Sequence, residues 1–100
     1  MATSKEFRDF VLEQMSGLKD ITCRPMMGEY LLYYNGLLFG GIYDDRLLIK
    51  KTSTNQKFQL GEEIPYSGAK PMAYIADLEH PEVLQDIILT TCQGLPIKKN

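Results

Sequence analysis

The fold is decided by residues 30–50, which read YLLYYNGLLFGGIYDDRLLIK. The pair Asn35-Gly36 is a strong hairpin signal, because both residues tolerate the positive φ angles of a type I′ turn. Asp44-Asp45 predicts a second two-residue turn, since Asp also visits the left-handed region. We therefore predict an antiparallel meander whose strands are residues 30–34, 37–43 and 46–50.

Two-residue turns also fix which residues lie opposite each other. They pair Leu32 with Phe39 and Ile42 with Leu47, and side chains alternate between the two faces along each strand. The face that we expect to pack against helices carries Leu31, Tyr33, Leu38, Gly40, Ile42, Leu47 and Ile49. The other face mixes aromatic rings with basic side chains, and we predict an interaction face formed by Tyr30, Tyr34, Phe39, Tyr43, Arg46 and Lys50.

Helices and shorter strands surround this meander. Apolar residues at helical spacing predict a first helix over residues 4–16, capped by Thr3 and Glu6 and closed by Gly17. The remaining predicted elements are a strand at 21–24 stopped by Pro25, a short helix at 55–60, an irregular connection at 62–71, a strand at 72–75, a helix from Pro81 to Gly94 and a solvated tail at 98–100. The predicted fold is α+β in two layers, forming one domain over residues 1–100.

Composition excludes several classes of protein. With 44% hydrophobic and 24% charged residues, the chain is able to bury a core and is not expected to be disordered. Its formal net charge of −2 disfavours nucleic-acid binding unless a local basic patch exists. No signal peptide is recognisable, and no apolar run approaches the roughly 20 residues of a membrane span. We expect a cytoplasmic protein.

The sequence offers little catalytic chemistry. Cys23 and Cys92 are expected to be small buried hydrophobes, the alternative being a reactive thiol at Cys23 beside Arg24. His80 stands just before the last predicted helix, where an exposed or capping position is expected and no orienting partner for acid–base work is visible. We predict that the protein is not an enzyme and needs no cofactor or metal.

Glycine and methionine residues have two interpretations each. Gly40-Gly41 in a strand indicates either close packing against a helix, which we favour, or a bulge or close backbone approach. Met26, Met27 and Met72 are expected to fill the core, the alternative being a methionine-lined groove for a partner.

Three stretches in this order resemble the N-terminal domain of the TfoX (Sxy) family, regulators associated with natural competence in bacteria. They are RPMMGEY at 24–30, YYNG at 33–36 followed by DDRLLIK at 44–50, and KPMAY at 70–74. The resemblance implies a secretion-chaperone-like α+β fold and a non-enzymatic regulatory or binding role. Full-length members carry a second, C-terminal domain, so a stand-alone N-terminal domain is expected here. The family motifs imply a second candidate patch of Arg24, Gly28, Glu29, Lys70, Pro71 and Met72.

These observations leave three hypotheses for the aromatic face. In the first, it binds another protein or a second copy of the chain, so that Tyr34→Ala or Phe39→Ala weakens binding more than folding. In the second, its rings stack on single-stranded nucleic acid while Arg46, Lys50, Lys51 and Lys70 meet phosphates, although the acidic net charge disfavours this. In the third, the connection at 62–71 covers the face, and it binds nothing.

Overall fold

The computed structural model describes residues 2–96. Its elements are α1 (Lys5–Gln14), β1 (Ile21–Met26), β2 (Glu29–Tyr34), β3 (Leu37–Ile42), β4 (Leu47–Ile49), a 3₁₀ turn (Gln56–Phe58), β5 (Gly61–Glu63), β6 (Met72–Ile75) and α2 (Pro81–Gln93). The strands form one antiparallel sheet in the order β1-β2-β3-β4-β6-β5, and both helices contribute to one core on one face of it. The predicted α+β fold is confirmed, while the tail at 98–100 lies outside the described residues.

The first helix is capped differently from the prediction. Ser4 is the N-cap, because its Oγ accepts a hydrogen bond from the amide of Phe7 at 3.1 Å. The amide and hydroxyl of Thr3 instead donate to the Glu29 carboxylate at 3.0 and 2.7 Å. Adjacent Thr and Ser have similar capping chemistry, so the long-range contact to Glu29 decides which one caps. Gly17 does not adopt a positive φ, and the helix closes at Met15.

The predictions for three short segments also need correction. β1 continues through Pro25 to Met26, which an edge strand tolerates because its outward positions need no ladder hydrogen bond. The predicted short helix is one 3₁₀ turn, ended by Gln59 at a left-handed φ of 52°. The connection predicted as irregular begins with β5 (Gly61–Glu63), which pairs with β6.

Both predicted hairpin turns are confirmed. Asn35 and Gly36 have φ angles of 51° and 82°, and Asp44 and Asp45 have 51° and 56°, as a type I′ turn requires. The backbones of Tyr43 and Arg46 exchange hydrogen bonds of 2.8 and 3.0 Å across the second turn. The turns themselves therefore introduce no shift of register.

A β-bulge at Phe39 shifts the register in the middle of the first hairpin. Tyr33 pairs with Leu38 but Leu32 pairs with Gly40, which leaves Phe39 as the extra residue of β3. The predicted pairing of Leu32 with Phe39 is therefore wrong. Because one extra residue reverses the alternation, the predicted faces are right for residues 40–50 and exchanged for residues 30–39.

The core shows the exchange directly. Leu32 and Phe39 are fully buried beneath the helices, with Tyr30, Tyr34 and Leu37 packed around them. The residues predicted for the core in this part of the sheet, Leu31, Tyr33 and Leu38, are only partly buried and lie on the opposite side, outside the core.

The glycine pair belongs to the bulge rather than to a helix contact. A Cβ on Gly40 would lie 2.3 Å from the Leu48 carbonyl oxygen, and one on Gly41 would lie 2.6 Å from the Tyr30 carbonyl oxygen and 2.7 Å from the Tyr43 ring. These neighbouring atoms belong to adjacent strands and to a tyrosine ring next to the sheet, and none belongs to a helix. Close backbone approach, the less favoured interpretation, therefore explains both glycines.

Candidate interaction surface

The sheet has a face that neither helix covers, called the outer face here. The strand pairing places a partly exposed apolar group on it, formed by Leu31 and Tyr33 of β2 and Leu38 of β3. Arg24 of β1 pairs with Leu31, and its guanidinium carbon lies 5.5 Å from the Tyr33 ring centroid. Leu48 lies between this group and β6 and is completely buried without joining the core beneath the helices.

The segment at residues 64–71, called the strap here, lies over one end of the outer face. Pro65 is buried, and the Tyr66 ring centroid lies 6.3 Å from that of Tyr43. Arg46 holds the strap, since its guanidinium donates to the Glu63 carboxylate at 2.9 Å and to the Ile64 carbonyl at 3.2 Å. The strap therefore covers the Tyr43 end of the outer face, as one of the three hypotheses expects, while Leu31, Tyr33 and Leu38 stay partly exposed.

The structure does not bring the six residues of the predicted interaction face together on one exposed surface. Phe39 is fully buried, Tyr30 and Tyr34 pack into the core, and Tyr43 is 7% exposed beneath the strap. Burial raises the pKa of the Tyr43 hydroxyl above its ordinary value. The two remaining members of the predicted face are Arg46 and Lys50, and both lie on the outer face. Arg46 pairs with Tyr43 across the second turn.

The family-motif residues also separate into groups. Glu29 has a structural role. Its carboxylate accepts hydrogen bonds from Thr3 and, at 3.1 Å, from the Asp44 amide, and these bonds join the N-terminal segment to the second turn. Gly28 has a φ of 84° in the β1–β2 turn. The others lie apart from this contact on the outer face or at the strap: Arg24, Lys70, Pro71 and Met72.

Two grooves flank the strap. The first, of about 600 Å³, is lined by Met26, Met27, Tyr43 and Tyr66 among others. Met27 is 98% exposed with a φ of 52°, and Met26 is 37% exposed, so the expectation that they fill the core is wrong. It is wrong for Met72 as well, which is half-buried in the lining of the other groove and lies outside the core. The second groove is called the lysine groove and has a volume of about 870 Å³. Its lining includes Tyr43, Lys50, Lys51, Tyr66, Lys70 and Met72.

The two cysteines lie on the helix side of the sheet. Cys92 is 8% exposed and burial raises its pKa to about 11, while Cys23 is half-buried with its pKa raised by burial. Arg24 lies over the Tyr33 ring on the other face, so it does not stabilise a Cys23 thiolate. Within residues 2–96, no group of three or more His, Cys, Asp or Glu side chains is placed to hold a metal ion.

His80 occupies the N-cap position of α2 without capping it, and it is exposed as predicted. Its Nδ1 lies 2.7 Å from the Asp77 carboxylate, and this hydrogen bond raises the pKa of His80. Hydrogen bonds from the Glu79 amide and from His80 lower the pKa of Asp77.

We expect the Asp77–His80 pair to stabilise the fold only between the two titrations. The His80 contribution is complete below its unfolded pKa near 6.5 and disappears as pH rises through the raised folded value. The Asp77 contribution is present above 3.8 and disappears as pH falls through its lowered value. Asp77→Asn should lower the His80 titration midpoint in proton NMR, and Glu82→Gln, which removes a more distant charge, should lower it less. An unchanged midpoint in Asp77→Asn would contradict the pairing.

The architecture defines the class of domain: an α+β domain whose antiparallel sheet is covered by helices on one side and by a short strap on part of the other. The chain belongs to the TfoX N-terminal domain family, which matches residues 13–87. It is also 34% identical over 103 residues to an uncharacterized 12.7 kDa protein in the trpE 5′ region of Spirochaeta aurantia. That similarity covers 99% of this chain and 89% of the relative. The family resemblance of the motifs is thereby confirmed.

No helix within residues 2–96 is both long enough and apolar enough to cross a membrane.

Proposed function

We propose that this domain is a non-enzymatic module that binds a partner protein through the outer face of its sheet. The observation that carries the proposal is the apolar group of Leu31, Tyr33 and Leu38 on that face, whose side chains are only partly buried and are not covered by a helix. Contiguous apolar surface on a folded domain commonly marks an interface.

The charges around this group favour a partner with acidic side chains. Arg24 and Lys50 stand on the outer face, and neither makes an ion pair with a carboxylate among residues 2–96. Complementary charge around an apolar centre is the usual composition of a protein interface, with the charges setting orientation and association rate.

The same charges argue against a second copy of the chain as the partner. In a symmetric dimer built face to face, the same patch meets itself, so Arg24 and Lys50 of both copies enter one interface. Like charges brought together in this way repel. We therefore expect the isolated domain to be monomeric in light scattering at high concentration.

Single-stranded nucleic acid is the second candidate, and the aromatic rings disfavour it. Base stacking needs exposed rings, whereas Phe39 and Tyr43 are buried and Tyr30 and Tyr34 pack into the core. The net charge of −2 acts in the same direction.

A photo-crosslinking amino acid at position 38 tests the proposal, with position 83 as the matched control. Val83 is 49% exposed on α2, on the helix side of the sheet. The protein crosslinked from position 38 is then purified and titrated against wild type, Leu38→Asp and Val83→Asp. We expect Leu38→Asp to weaken binding about tenfold or more, because it places a carboxylate in the apolar centre, and Val83→Asp to leave it unchanged.

Circular dichroism and thermal melting show that both variants are folded. The proposal fails if position 83 crosslinks as well as position 38, if position 38 yields no crosslinked protein, or if Leu38→Asp binds as tightly as wild type.

A further inference from the structure

The lysine groove brings together basic residues that are distant in sequence. Lys50 and Lys51 follow β4, and Lys70 stands two residues before β6. Because β4 and β6 are antiparallel neighbours that pair Ile49 with Ala73, their adjacent ends place these lysines at the same end of the sheet. None of the residues that line the groove is a carboxylate.

Two of the three lysines have no acidic partner among residues 2–96. Lys51 pairs with Glu62 of β5, whereas neither Lys50 nor Lys70 makes an ion pair there. In a chain with a net charge of −2, this groove is a local concentration of positive charge. Such a concave positive site attracts anions and raises their rate of association.

The backbone at Lys50 is held from two sides. Its amide donates to the Phe39 carbonyl at 2.8 Å, and its carbonyl accepts from the Asn55 side chain at 2.9 Å. Asn55 is 4% exposed and also donates to Thr91 of α2 at 2.9 Å. The base of the Lys50 side chain is therefore fixed before any ligand arrives, which reduces the entropy lost on binding.

The other walls of the groove are apolar or aromatic, from Tyr43, Pro65 and Met72. Lys50 also lines a separate depression of about 410 Å³ together with Tyr33, Leu38 and Leu95, so it stands between the lysine groove and the apolar group of the outer face. A ligand that fills it needs negative charge facing the lysines and apolar side chains facing the sheet. An extended peptide with alternating acidic and apolar residues presents both on opposite sides.

We propose that the lysine groove binds an acidic, extended segment of the partner protein. This inference rests on the proposed function of the outer face and names the chemistry of its partner. Nucleic acid fits the groove less well, since Tyr66, at 60% exposed, is the one well-exposed ring in its lining and successive bases need successive rings.

Fluorescence anisotropy with a labelled peptide of alternating glutamate and leucine tests the groove. The wild-type domain should bind it with an affinity that falls as salt is raised. The double variant Lys50→Glu with Lys70→Glu should weaken binding about tenfold or more. The matched control reverses Lys5 and Lys19, which are exposed near α1, so the change of net charge is the same. It should stay within about twofold of wild type, because these lysines do not line the groove.

Three results with these probes would overturn the inference: no binding of the peptide at low salt, equal loss in the control variant, or a thymidine oligonucleotide that binds at least as tightly through the same two lysines. The last result would identify a nucleic-acid site instead. Failure of the groove is distinguishable from failure of the outer face. If the crosslinked partner is lost by Leu38→Asp but bound normally by the Lys50 and Lys70 variant, the groove proposal falls and the outer face stands.

Discussion

Replacing Gly40 with alanine is expected to cost about 3 kcal/mol of unfolding free energy. The added Cβ would lie 2.3 Å from the Leu48 carbonyl oxygen and 2.8 Å from the Ile49 Cα, and both are backbone atoms of a buried strand. Neither is able to move away as the end of a flexible side chain would. Urea unfolding followed by circular dichroism measures the loss.

Gly61→Ala is the matched control, because Gly61 also lies in a strand. A Cβ there meets nothing within 4 Å, and its φ is not positive. We expect this variant to be unchanged or stabilised by about 0.5 kcal/mol through the lower entropy of its unfolded chain. A Gly40→Ala protein as stable as Gly61→Ala would contradict the close approach of β3 and β4 at the bulge.

Phe39→Ala and Leu38→Ala are expected to differ sharply although the two residues are adjacent. Phe39 is fully buried beneath the helices, so its truncation leaves a cavity and should cost about 3–5 kcal/mol. Leu38 is partly exposed on the outer face, and its truncation should cost about 1 kcal/mol. Thermal and urea unfolding of both variants measure the difference.

The register without a bulge makes the opposite forecast for this pair. It places Leu38 in the core and Phe39 on the open face, so that Phe39→Ala would weaken binding more than folding. A larger loss of stability in Leu38→Ala than in Phe39→Ala would therefore contradict the observed register. Comparable losses would contradict it as well.

The hairpin turns could be predicted because their signals are local. A type I′ turn needs two consecutive positive φ angles, and Asn35-Gly36 adopts them at little cost. The same holds for α2, whose Pro81 start and Gly94 cap are set by residues at the helix ends. Fold class, strand order through the meander and the last helix all follow from such local patterns.

The bulge could not be derived in the same way, although a signal for it is present. Gly40-Gly41 permits a bulge. Whether the extra residue is Phe39 depends on which set of alternate side chains in residues 30–39 buries more apolar surface, and that surface is buried against helices elsewhere in the chain. Both alternations of residues 30–39 present apolar and aromatic side chains, so pattern alone does not choose between them. Phe39 decides it, since its ring is the largest fully buried side chain of the core.

Part of the candidate site is predictable for the same reason. Lys50 and Arg46 follow the bulge, so the predicted face holds for them, and the motif KPMAY indicates Lys70. Tyr33 and Leu38 precede the bulge, so a register without it places them in the core instead. The exposure of Met27 does not follow from its residue type, because a bulky residue seldom takes a left-handed φ in a turn.

Titration of the ¹⁵N-labelled domain with the alternating glutamate–leucine peptide tests most directly whether the outer face is the binding surface. Amide shifts should move for Leu31, Tyr33 and Leu38 on the face and for Lys50 and Lys70 in the groove. The amides of Val83 and Leu89 on α2 should not move. Shifts concentrated on the helices would contradict binding through the outer face, whereas no shifts at any peptide concentration would contradict the acidic, extended ligand proposed for the lysine groove.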